Sequence, residues 1–427
     1  MLNYRQYWIW LFALSGIAYI NALLNPLLTP QSLTFGLIVA FILAHALTCV
    51  QKRSIKVDTL FGIFFFGSYF LNLMTLSRLQ VPPTYLDLYF IVFPGLLVYG
   101  LFNALQKIKF KTIRVKHLAI LDVNTVFYLV FFTAILTQFY VSYHIGVRLD
   151  FYIGTANYRS LHDLSVPYGM SGISNVLRYS LLILFVYVSG RKRLLICLFV
   201  IIVAIINVKR GDLMRLTMFL VVYYSFMELR LSKKQILKII IMSVLGLQLF
   251  VLLGELRQSF DSTFSITEQL EFVVDSKSLA WLYGYTAINF DVYRQFFTQS
   301  YDHSYSMIMQ FLPFLNVAGF KDFVVVYDKV FSDFALNGFS AATFLKEFVY
   351  DFGVFYIFEF FIFLVMLTVL YILIVKLNFL GVYLYFWTFI SFCFFGNYLF
   401  VPQLFYTLIF GILLSLVTKN TNKVFVQ

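Results

Sequence analysis

The run Val354-Phe-Tyr-Ile-Phe-Glu359-Phe-Phe-Ile-Phe-Leu-Val-Met-Leu-Thr-Val-Leu370 contains a single charged side chain, Glu359. Crossing the hydrocarbon core of a bilayer takes about 20 predominantly apolar residues in a helix, which satisfies its own backbone groups where no water can. Similar stretches recur along the chain. They centre on Phe12–Leu23, Phe35–Leu47, Leu60–Leu73, Leu88–Leu101, Val126–Tyr140 and Val176–Val188 in the first half. Leu195–Ile206, Leu216–Phe226, Ile239–Leu252, Val382–Phe395 and Leu404–Leu416 complete the set. With Val354–Leu370 they give about twelve spans by that length rule. The expected fold is therefore an all-α polytopic membrane protein, a single integral membrane domain over residues 1–427. The first run is long enough to stay as a span, with no cleavage site of small residues after it.

Composition points the same way. Of 427 residues, 61% are hydrophobic and only 12% charged. A soluble chain carries about 25% charged residues, so a water-soluble globule of this composition could not cover its own surface. That excludes soluble enzymes, disordered chains and free nucleic-acid binders, despite a net charge of +12. The cysteines Cys49, Cys197 and Cys393 each sit in an apolar run, which argues against a disulfide framework or a thiolate zinc site.

Lys and Arg set the orientation of a multispanning protein. With a cytoplasmic N-terminus, nineteen of the 32 basic residues fall in short inner clusters, such as Lys107–Lys116, Arg191–Arg193 and Arg230–Lys238. Both termini then lie in the cytoplasm and the span number is even. No G-x-x-x-x-G-K-[ST] phosphate loop occurs, so ATP-driven work is not expected. The long connections face outward: a first external loop at 143–172 and a large one at 255–351. The second is rich in Phe, Tyr, Leu and Val, unlike a disordered segment. Leu279–Phe297 and Met307–Phe320 within it read as interfacial or re-entrant helices.

The outward-facing arginines exceed what orientation requires. Lys209, Arg210 and Arg215 flank Gly211 in what reads as a tight external turn, with Asp212 placed to cap the next helix. Arg178 lies inside a span, where a charge costs on the order of 2.5–3.5 kcal/mol at the centre. Arg148 and Arg159 fall in the first loop, Arg257 and Arg294 in the second. Each arginine alone could snorkel to headgroups or pair with an acid. Gathered together, guanidiniums suit a phosphate or pyrophosphate bound bidentately. Asp302 and His303 are candidate acid–base groups. Glu347 and Asp351 share one helical face, and Glu359 lies two turns further on, a possible polar seam. Trp281, Tyr283 and Tyr285 could stack on sugar rings or form an interfacial belt. No paired histidines and no D-x-D acids appear, so neither a metal nor another cofactor is expected.

Several of these stretches resemble one family. Lys209-Arg-Gly-Asp-Leu-Met-Arg215 is similar to an arginine-bearing external turn, Gly254-Glu-Leu-Arg257 to a basic span exit, and Tyr283-Gly-Tyr-Thr-Ala-Ile-Asn289 to an early long-loop segment. Thr343-Phe-Leu-Lys-Glu-Phe-Val-Tyr-Asp351-Phe-Gly353 resembles the T-x(7)-D-F-G stretch where the long loop re-enters the membrane. The family is that of the oligosaccharide repeat-unit polymerases (O-antigen polymerase, Wzy-type). The resemblance implies a membrane-embedded, GT-C-like glycosyltransferase in a bacterial cytoplasmic membrane. Such an enzyme moves a glycan from its lipid pyrophosphate onto an incoming lipid-linked repeat unit, for O-antigen, capsule or exopolysaccharide, with a chain-length regulator as a possible partner. It also implies Arg210, Arg215 and Arg257 on the phosphate side, and a structural role for Asp351–Gly353. Arg210 and Arg215, with Asp302 and His303, are the catalytic candidates. Arg159, Arg178, Lys209, Arg257, Arg294 and Glu347 are the substrate-binding candidates. A flippase for lipid-linked oligosaccharide and an O-antigen ligase are the competing readings.

A reporter fused at Gly211 is expected to give an external signal, with reporters at Lys116 and Lys419 internal. An internal signal at Gly211 would overturn the orientation.

Overall fold

The structure is a computed structural model that describes residues 4–24, 29–51, 56–108, 110, 121–145, 170–206, 210–227, 266–298, 343–393 and 402–418, with scattered positions between 237 and 255. Among the described residues the regular structure is helical, and β pairing is limited to isolated bridges at Ser77–Phe272 and Leu121–Thr418. Among the described residues, five helices are long and apolar enough to cross a membrane: Arg5–Leu24, Pro30–Cys49, Leu88–Leu105, Val123–Tyr143 and Ile357–Leu377. Shorter apolar helices occupy Val57–Leu73, Met170–Phe185, Leu380–Ser391 and Phe405–Val417. The expected stretches thus fall on helix, apart from Ile239–Leu252, which lies largely outside the described residues. Large apolar side chains such as Phe12, Leu136, Phe139 and Phe358 project outward from these helices. Water does not tolerate such a surface, but lipid does.

The chain divides into two compact units. Unit 1 comprises Met1–Lys109, Ile266–Val369 and Phe389–Val401. It begins with α1 (Tyr4–Leu24) and α2 (Pro30–Gln51), which pack together. Next come α3 (Val57–Phe61) and α4 (Gly67–Leu73), joined by a π-helical turn at Gly62–Phe66, and α5 (Phe93–Leu105), entered through a second π turn at Leu88–Val92. Phenylalanine fills this core: Phe65 meets Phe61, Phe290 and Phe344 with ring centroids 5.2, 5.4 and 5.7 Å apart.

Unit 2 comprises Phe110–Ser265, Leu370–Thr388 and Pro402–Gln427. It holds α6 (Val123–Ile145), α7 (Met170–Phe185), α8 (Gly190–Ile206) and α9 (Arg210–Met227). The later part of unit 1 contains α10 (Ile266–Gln269), α11 (Lys277–Thr286), α12 (Ile288–Thr298) and α13 (Lys346–Phe352). Three helices end the described chain: α14 (Ile357–Leu377), α15 (Leu380–Ser391) and α16 (Pro402–Val417).

Leu279–Phe297 is helical, as α11 and α12, and packs into unit 1. Every residue of α12 from Ile288 to Phe296 is buried except for traces. Asn72 donates to the Ala287 carbonyl (3.0 Å), and Tyr293 donates to that of Phe90 (3.0 Å). These bonds place the segment inside unit 1. Met307–Phe320 lies outside the described residues. The apolar helix expected from Val354 starts later than the hydropathy suggests. Gly353 has φ 54°, a left-handed conformation that only glycine adopts cheaply, so α13 stops there and a 3₁₀ turn leads into α14.

In unit 2, Gly381 opens α15 against the backbone of α7, and an added Cβ would run into the Ile183 carbonyl. Gly381→Ala is therefore expected to lower the apparent melting temperature in detergent by several degrees, an overpacking cost of about 1–3 kcal/mol. Gly172→Ala, in open space on α7, should leave it unchanged.

Candidate functional site

In unit 2 the helices place polar groups among apolar ones. On α7, Ser174 and Asn175 lie one turn before Arg178 and so share its side of the helix. On α6, Gln138 and Ser142 are likewise one turn apart. Ser174 Oγ and Arg178 Nη1 both donate to Gln138 Oε1, at 3.0 and 3.3 Å. Arg178 Nη2 donates to Asn175 Oδ1 at 2.6 Å and lies 3.0 Å from Asp212 Oδ2 on α9. Tyr179 donates its hydroxyl hydrogen to Asp212 Oδ1 and accepts from Arg215 Nη1. Arg215 also reaches Asp212 Oδ1 directly, at 3.4 Å. Both guanidiniums lie over the Tyr179 ring, at 5.2 and 5.0 Å from its centroid. Two guanidiniums thus converge on one carboxylate and one phenol.

Their exposures differ. The side chains of Arg178 and Asp212 are 2% and 4% exposed, whereas that of Arg215 is 21% exposed. Arg178 is a buried anchor and Arg215 the accessible arm. In surroundings of low dielectric a guanidinium attracts an anion far more strongly than it would in water.

The turn before α9 also differs from expectation. α8 ends at Ile206 and α9 begins at Arg210, so Gly211 stands in the first turn of a helix and is not the hinge of a loop. Asp212 stands in the first turn of α9, where Arg178, Arg215 and Tyr179 engage its carboxylate. Arg210 opens α9, with its side chain outside the described residues. Lys209, Arg159, Arg257, Asp302 and His303 also lie outside them.

Arg294 belongs to unit 1, and acids hold it fully. Its Nε and Nη2 meet Asp87 Oδ2 at 2.8 and 2.7 Å, and its Nη1 meets Asp291 Oδ1 at 2.7 Å and the Val81 carbonyl at 3.2 Å. Tyr69 donates to Asp87 at 2.7 Å. Arg294 and both carboxylates are completely buried. Here one guanidinium serves two acids, the reverse of the ratio in unit 2. Glu347 lies on α13 near the Lys346 ammonium (3.9 Å), also in unit 1.

Sequence reasoning singled out Arg178 and Arg215 but missed Tyr179, Asn175 and Gln138. The available signal was polar residues one helical turn apart inside apolar runs, Gln138 with Ser142 and Ser174 with Arg178. Among the described residues no group of three or more His, Cys, Asp or Glu side chains is arranged to hold a metal ion. No family model, no curated protein and no solved structure matches the chain.

Asp87→Asn is expected to destabilise the protein by about 3–5 kcal/mol, because it strips a buried guanidinium of its main partner. Asp291→Asn should cost less, since one acid still neutralises Arg294. Burial pushes the Asp291 carboxyl up to about 7, against the downward pull of Arg294. An acid with a raised folded-state pKa stabilises fully below its unfolded value and loses that contribution as pH rises through the folded one. Melting temperature in detergent should therefore fall between about pH 4 and pH 7, and Asp291→Asn should flatten that slope.

Proposed function

We propose that the protein is a membrane glycosyltransferase that polymerises lipid-pyrophosphate-linked oligosaccharide repeat units at the outer face of a bacterial cytoplasmic membrane. The observation that carries this reading is the convergence of Arg178 and Arg215 on Asp212 and Tyr179, with Arg215 partly open. In glycan transfer the pyrophosphate leaves as an anion. The bond from the anomeric carbon to the phosphate oxygen breaks, and the acceptor hydroxyl oxygen bonds to that carbon. Charge grows on the departing oxygen, and preorganised donors stabilise it there. Arg215 takes that role. It contacts Asp212 at only 3.4 Å, so it can exchange this contact for a phosphate oxygen. Arg178 positions Asp212 and Tyr179. Arg210, Arg257, Lys209 and Arg159 contribute further phosphate contacts. Asp302 or His303 takes the acceptor proton.

The donor is already activated as a pyrophosphate, so the chemistry calls for neither nucleotide nor metal. The apolar outward faces of the helices suit two lipid-borne substrates arriving from within the bilayer. The resemblance of Thr343–Gly353 and Lys209–Arg215 to the repeat-unit polymerases supports the same reading.

Deletion of the gene in its own host should leave surface glycan as single capped units. Absence of all units would point to a flippase, and long chains retained on the carrier to a ligase. Arg215→Ala is expected to insert normally and reduce polymerisation by about 10²–10³-fold. Arg215→Lys should recover part of that loss, and Arg210→Ala should also collapse the ladder to one unit. A normal ladder from Arg215→Ala would overturn the assignment.

A further inference from the structure

Arg178 clamps two amides, and their other ends differ. A guanidinium has donors only, so each amide turns its carbonyl oxygen to it and its NH₂ group elsewhere. In Gln138 that group is used: Nε2 donates to Ser142 Oγ at 3.1 Å, and both residues are buried. In Asn175, Oδ1 accepts from Arg178 Nη2 at 2.6 Å, and Nδ2 meets no acceptor among the described residues. Asn175 is also half-buried, where Arg178 and Gln138 are buried. Gln138 therefore completes the packing of α6 on α7, whereas Asn175 carries two N–H donors to an accessible part of the cluster.

Arg215 reaches an accessible part of the same cluster. The Arg178 Nη2 that meets Asn175 lies 3.0 Å from Asp212 Oδ2, and Arg215 Nη1 lies 3.4 Å from Asp212 Oδ1. Asn175 and Arg215 thus stand on either side of one carboxylate, one a neutral donor and the other a cation. A diphosphate carries more acceptor oxygens than one guanidinium can meet, and neutral amide donors serve such oxygens alongside arginine. Arg178 itself cannot meet them, because its side chain is only 2% exposed. The contact expected of Arg178 from the sequence passes to the residue it holds. Held in place by the clamp, the Asn175 amide has little orientation left to lose when a ligand binds.

We infer that Asn175 is a substrate-binding residue, whose Nδ2 donates to an oxygen of a diphosphate held next to Arg215. This deepens the reading of Arg215 as the group that meets a phosphate oxygen, and rests on it. The competing role is structural: an asparagine that only gives Arg178 an acceptor.

The test measures binding of farnesyl pyrophosphate and of inorganic pyrophosphate to the full-length protein in detergent by calorimetry, with melting temperature read alongside. Two variants remove the Nδ2 donors in opposite ways. Asn175→Asp keeps an oxygen for Arg178 but adds a charge; Asn175→Ala adds no charge but takes the oxygen away. Melting temperature is expected to hold or rise in the first and to fall in the second. Binding of farnesyl pyrophosphate should weaken about tenfold or more in both. A structural asparagine would lose binding in the alanine variant alone, and a bare charge effect would lose it in the aspartate variant alone. Asn175→Thr takes the place of alanine if that variant does not fold. Wild-type affinity in either variant overturns the role of Asn175 and leaves the Arg215 reading standing. Absence of binding of both probes to the wild type, or undiminished binding to Arg215→Ala, overturns that reading and this inference with it. With the Asn175 losses in place, tighter binding of farnesyl pyrophosphate than of inorganic pyrophosphate marks the diphosphate as lipid-borne, and equal affinities mark a site for the diphosphate alone.

Discussion

A guanidinium inside an apolar helix bundle must bring its own counter-charge, and both units are organised around that constraint. Arginine stays charged at any accessible pH, so it cannot escape the cost of burial by neutralising. The fold must supply carboxylates instead, with enough hydrogen bonds to use up its donors. In unit 2, Asp212 answers Arg178 across the gap between α7 and α9. In unit 1, Asp87 and Asp291 answer Arg294. Helices that hold such pairs cannot slide past one another without stranding a charge. The pairs therefore fix helix register in a way that interchangeable apolar contacts do not.

The ratio of acids to arginines then separates the two clusters in kind. Arg294 has two carboxylates, a backbone carbonyl and complete burial, so an anion brought there would meet the charges of both acids. Arg178 and Arg215 share a single carboxylate, and Arg215 keeps part of its surface open. Among the described residues, only the second arrangement sets two guanidiniums against one carboxylate. Counting arginines along the sequence cannot make this distinction, because Arg294 and Arg215 are equally conspicuous as text. Their difference lies in acids brought up from elsewhere, Asp87 being over two hundred residues from Arg294 along the chain.

Helix positions were legible because a run such as Val354–Leu370 has one physical use. Apolar residues of that length read as helix whatever surrounds them, and the described helices follow the hydropathy closely. The local breaks were less legible. Gly353 looked like an ordinary residue in a re-entry motif, yet its positive φ divides α13 from α14. Gly211 looked like the hinge of a turn, yet it lies within α9. How far Leu279–Phe297 enters the core was less legible for a different reason. Its mixture of Tyr, Trp, Asp and Arg suits either an interfacial or a re-entrant helix by composition, and the pairing of Arg294 with Asp87 lets α12 be buried. Polar groups read as surface until their partners are known.

The phenylalanine content bears on sugar recognition. Fifty-three phenylalanines invite a reading of stacking platforms for sugar rings. In unit 1, however, Phe61, Phe65, Phe290 and Phe344 spend their faces and edges on one another, and Phe348, Phe360 and Phe363 form a second such group. Such contacts give close packing without hydrogen-bonding demands, which suits a protein whose outer surface is lipid. They also make the sparse polar groups more consequential. A bundle packed with rings offers few alternative partners, so a buried charge depends on its designated acid, as Arg178 does on Asp212 and Arg294 on Asp87.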